Sequence, residues 1–163
     1  MTTSHVIDTT ADPFIPDGLI VAEHHKNGSL VWNPNKIELY EPNFRVQVTK
    51  DQDEKLRGAL SIIMEKGIQG TEVVSELEGK GALNTNVLDY LVKHQDLIPE
   101  AWKLNEDGVI QHINFLGTIY NKPEDGVDNF CACYLYWNET HWDWDYKMLV
   151  YRWDTGEVAA ILK

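Results

Sequence analysis

The chain has 163 residues and carries 26 acidic against 14 basic side chains, a formal charge of −12. Its length suits one domain that buries about two-thirds of its unfolded surface, and an apolar share of 43% excludes a chain that is disordered throughout. The acidic excess is spread out and no basic stripe exists, which speaks against direct nucleic-acid binding, because affinity for a phosphate backbone comes from counterions released by Lys and Arg.

Residues 1–12 (MTTSHVIDTTAD) show no packing pattern and are expected to form a fraying tail, leaving 13–163 as a single α+β domain. Pro13, Pro16, Pro34 and Pro42 break any helix in the next stretch. Residues 19–23, 29–32 and 36–40 are short and β-prone, and Asn27-Gly28 between the first two predicts a hairpin. Helical periodicity begins after Thr49. Asp51 and Glu54 have capping-box spacing, Leu56, Leu60, Ile63 and Met64 share one face, and Gly67 is a stop. A shorter helix is expected over 71–78, ended by Gly79. The clearest helix is 86–95, with Val87, Leu88, Leu91 and Val92 as its apolar stripe and Asn84 or Asn86 as its cap. Pro99 then opens a short turn containing Trp102.

From Gly108 the period changes to two. Residues 109–120, 127–137 and 142–153 are separated by KPEDG and NETH, which predicts an antiparallel β-meander of about three to five strands with two or three helices packed on one face. The apolar run 158–162 is expected as an edge strand.

Parity assigns the faces of the last hairpin. Cys131, Cys133, Leu135 and Trp137 share one side, and Ala132, Tyr134 and Tyr136 share the other. Trp142, Trp144 and Tyr146 alternate with His141, Asp143 and Asp145. The two apolar rows meet only across an even loop, so NETH is read as a four-residue closure pairing Trp137 with Trp142, Leu135 with Trp144 and Cys133 with Tyr146. That side is expected to be core. Tyr134 and Tyr136, on the opposite side, are the candidate binding residues.

Candidate chemistry is sparse. Cys131 and Cys133 lie on the apolar face and His141 on the other, so the three cannot converge on one zinc ion; no metal site and no cofactor is expected. Two positions apart on one strand, the cysteines would form a strained bridge, and free thiols in a cytoplasmic compartment are expected. No segment approaches the length of a membrane span or resembles a signal peptide. His141, Asp143 and Asp145 place an imidazole and two carboxylates along one strand face and, with His112, are the candidate acid/base residues. The plainer reading of that row is the solvated side of a half-buried strand. His24-His25 point to opposite sides and cannot chelate one ion together. No nucleophile, phosphate-loop or dinucleotide signature is present.

The stretches DPFIPDGLIVAEHHKNGSLVWNPNKIELY, LNTNVLDYLVKHQDLIPEAWK, FLGTIYNKPEDG and CYLYWNETHWDWDYKMLVYRWD together resemble an uncharacterised family of small bacterial proteins found largely among metagenomic sequences. The resemblance covers most of the chain from Asp12 and implies one folding unit, with no activity attached. Relatives tend to carry two glycines where this chain has Glu139 and Thr140, and a basic residue in place of His141. A glutamate tolerates positive φ poorly, which favours the wider NETH loop here.

Three functional classes follow as expectations. A non-catalytic protein-interaction or regulatory/inhibitor module with an acidic surface leads, its partner a protein. The alternatives are a small metal-dependent or acid/base hydrolase centred on His141, Asp143 and Asp145, and an acidic nucleic-acid mimic.

Overall fold

The sheet is built outward from the C-terminal hairpin in the computed structural model, which describes residues 4–42 and 68–163. The helix expected at 51–66 lies outside the described residues. β8 (Phe130–Trp137) and β9 (Trp142–Met148) pair in the register that parity requires, with Trp137 opposite Trp142, Leu135 opposite Trp144 and Cys133 opposite Tyr146. Within the four-residue loop, Asn138 Oδ1 accepts from the N–H groups of Thr140 and His141 and from the Thr140 hydroxyl. Glu139 nevertheless has φ +82°, so the wider loop does not spare it the left-handed region; the Asn138 bonds offset that strain.

The other edge of β8 is shared. Its first half pairs with β7 (Thr118–Asn121) and its second half with β6 (His112–Asn114). β7 carries β2 (Ile20–His24). β6 carries β11 (Glu157–Leu162) in parallel, and β11 carries β4 (Ile37–Tyr40) antiparallel. Among the described residues this makes a seven-stranded mixed sheet, curled into a half-barrel, in place of the expected antiparallel meander.

The cause of the difference lies at Gly117. A Cβ there would stand 2.6 Å from the Ala82 carbonyl oxygen and 2.7 Å from the Asn84 nitrogen, so the chain can pass this point only as glycine. Its N–H donates to the Leu83 carbonyl at 2.9 Å, and its carbonyl accepts from His25 N–H at 2.7 Å. The expected strand over 109–120 is therefore broken between two short strands that both return to β8. The run expected as an edge strand, β11, is instead internal. Val158 and Ala160 are buried on one face and Ala159 and Ile161 on the other, which is why it reads as continuously apolar.

The hairpin expected around Asn27-Gly28 does not form. β2 joins β7, while β3 (Ser29–Val31) pairs with β1 (Val6–Asp8) in a separate two-stranded sheet. The Gly28 carbonyl accepts from both the N–H and the hydroxyl of Thr9, at 3.1 and 2.6 Å. With Ile7 and Thr9 buried, the segment expected to fray is held from Val6 onward. A second small ladder joins β5 (Ile68–Gln69) to β10 (Arg152–Trp153).

Two helices are described, one on each face of the sheet, where the sequence suggested a single helical face. α1 (Gly70–Glu76) buries Val73 with Leu116, Ala132, Trp153, Ala159 and Ile161. α2 (Thr85–Lys93) starts at Asn84, whose side chain accepts from Asn86 N–H at 3.1 Å. Its Val87, Leu88 and Leu91 are fully buried in the cluster that holds Ile113, Tyr120, Cys133 and Leu135. Each such side chain contributes about 1.5–3 kcal/mol on leaving water, which is what fixes the hairpin's apolar face against α2. Both cysteines are free and buried there, and burial pushes the Cys133 thiol up to about 12.

Candidate functional site

Alternation along β8 turns Tyr134 and Tyr136 away from α2, and the strand register decides what meets them. Asp145 is opposite Tyr134, Asp143 opposite Tyr136 and Lys147 opposite Ala132 on β9. Asn114 is opposite Tyr134 on β6, and Glu157 is opposite His112 across the parallel β6–β11 pair. Four strands thus bring two phenols, an imidazole, an amide, an ammonium and three carboxylates to one face.

Curvature tightens this face. β9 and β11 are separated by β8 and β6, about 14 Å on a flat sheet, yet Lys147 Nζ touches Glu157 Oε1. The curl is what lets these two side chains meet. Glu157 is the hub. Its Oε1 also accepts from His112 Nδ1 at 3.2 Å, and its Oε2 accepts from Asn114 Nδ2 at 2.9 Å. A carboxylate only accepts, so the proton of His112 sits on Nδ1 and leaves Nε2 as an acceptor. The imidazole stacks on Tyr134, with centroids 4.5 Å apart at 20°, and is tilted against Tyr136 at 5.9 Å. Lys147 Nζ also approaches the Tyr134 ring, 4.8 Å from its centroid.

Burial sets the protonation of the cluster. It holds His112 down at about 4, and the neighbouring Lys147 ammonium acts in the same sense while Asp145 opposes it. It also draws Lys147 down to about 8; the Glu157 carboxylate in contact with it favours the charged form. Burial, then Asp145, raises the Tyr134 phenol. Asn114 is 1% exposed and donates to Glu157 and to the backbone carbonyls of His112 and Val158, while its own Oδ1 has no partner.

The residues singled out in the sequence are divided by this arrangement. His112, Tyr134 and Tyr136 come together. His141 stays in the loop, bonded to the Asn138 and Thr140 side chains, apart from the cluster. Asp143 and Asp145 border it and have a backbone task as well. β9 is an edge strand among the described residues, and the N–H groups of Trp142, Trp144 and Tyr146 go to Gln95 Oε1, Asp143 Oδ1 and Asp145 Oδ1 at 2.9, 2.8 and 2.7 Å. Side chains thereby occupy the donors that an open edge would offer to another strand.

Lys147, Glu157 and Asn114 were missed. Lys147 continues the every-second-residue row of His141, Asp143 and Asp145 and could have been found by extending it. Glu157 and Asn114 leave no local signal, since 45 residues separate His112 from the carboxylate that holds it. Among the described residues no group of three or more His, Cys, Asp or Glu side chains could hold a metal ion, and no helix is long and apolar enough to cross a membrane. Comparison with family models, with curated proteins and with solved structures finds no match.

Proposed function

We propose that the protein is an interaction module that engages a basic segment of a partner protein through the tyrosine-bearing face of β8 and β9. The observation that carries this reading is the cross-strand alternation of Tyr134 with Asp145 and of Tyr136 with Asp143 on a face that α2 does not cover. Half-buried tyrosines supply rigid contact area at low entropic cost, and they are enriched where proteins meet. Carboxylates beside them give the contact a sign, and the net charge of −12 attracts a positive partner over a longer range.

Calorimetric titration with short basic peptides and with acidic peptides of equal length tests this. Binding of the basic set alone at about 20 mM salt, weakened at least tenfold near 300 mM, is the expected result, because such attraction is screened beyond a Debye length. Absence of any basic-peptide binding at the lower salt overturns the proposal.

A further inference from the structure

We infer that Tyr136, with Asp143 and Asp145, forms a seat for one arginine side chain of the partner segment; this rests on the interaction reading above. Two rings of the hairpin already sit in the same kind of seat, one with the hairpin's own Lys147 and one with Lys103. Lys147 lies over Tyr134 and is held by Glu157. Lys103 lies 3.7 Å from the Trp137 ring centroid and is held by Glu100 at 2.9 Å. Each joins an aromatic ring, a cation and a carboxylate. Tyr136 has the ring and the carboxylates, Asp143 directly across the strand pair and Asp145 diagonally, but no cation lies over it among the described residues.

The remaining valences fit a donor. Asp143 and Asp145 each use Oδ1 for the following backbone N–H, which leaves the second oxygen of each to accept. His112 flanks Tyr136 at 60°, and Tyr134 stands 5.7 Å away at 43°, so the phenol is walled on these sides. A planar guanidinium stacks on a ring and forks to carboxylates at once, whereas an ammonium offers a single point charge, so the seat favours arginine over lysine.

Fluorescence anisotropy with a labelled peptide alternating glycine and arginine, and with its lysine and citrulline counterparts, tests this at about 20 mM salt. The arginine peptide is expected to bind at least tenfold tighter than the citrulline peptide. Tyr136→Ala is expected to weaken it about fivefold or more, while Tyr136→Phe and the remote Asp107→Asn leave it within about twofold. If Tyr136→Ala melts early, the shape-preserving pair Asp143→Asn with Asp145→Asn replaces it, with the preference for arginine over citrulline expected to collapse. Arginine-peptide binding that is indifferent to all of these variants overturns the seat and leaves the interaction module standing. Failure of both the arginine and the lysine peptide to bind overturns both.

Discussion

Burial in the curl of the sheet, more than the carboxylate bonded to the ring, decides how His112 behaves. Glu157 fixes its tautomer, yet burial outweighs the carboxylate and keeps the ring neutral, with its pKa down at about 4. The unfolded chain takes up that proton near 6.5. Between these two values the unfolded state binds a proton that the native state does not, so stability falls as the pH drops from about 6.5 to about 4. Histidine ring NMR should show a midpoint for His112 near 4, and His112→Gln should flatten the loss of stability across that window. A midpoint at or above 6.5 would mean that Glu157 governs the ring instead. His112 was visible in the sequence as a candidate. What it does was not, because Lys147, Asn114 and Glu157 reach it through strand register and curvature, neither of which leaves a mark within a few residues.

Elements whose signals are local were legible. α2 follows its apolar stripe and its Asn84 cap, and the hairpin follows from period two and an even loop, since a slip of one residue would turn every tryptophan outward. Strand order was not legible: β6, β7 and β11 are placed by a contact between residues 82–84 and Gly117, and only the glycine itself hints at it. Gly117→Ala would drive a methyl group into backbone atoms that cannot turn aside, at a cost on the order of 2 kcal/mol or more. The urea midpoint of this variant should drop clearly with the slope unchanged, and an unchanged midpoint would show that the close approach is not obligatory. On β9, Asp143 and Asp145 combine two roles, occupying edge donors and presenting negative charge beside the tyrosines.

Across the whole molecule the two faces of the sheet differ in kind. One is closed by α2 over a continuous apolar cluster. The other is closed by α1 over Ala132, Ala159 and Ile161, and beyond these small and branched residues it turns polar around Glu157. A buried ion pair such as Lys147–Glu157 seldom adds stability over apolar packing of similar volume, which is one reason to place the proposed interaction on this half of the face. In the proposed reading, the net charge of −12 keeps like molecules apart and draws basic ones in, and the Tyr136 corner gives that attraction a place to end. Titrating isotope-labelled protein with the glycine–arginine peptide and mapping amide shifts tests this most directly. Perturbations should centre on Tyr134, Tyr136, Asp143, Asp145 and His112 and leave α2 still; shifts centred on α2, or none at all, would contradict it.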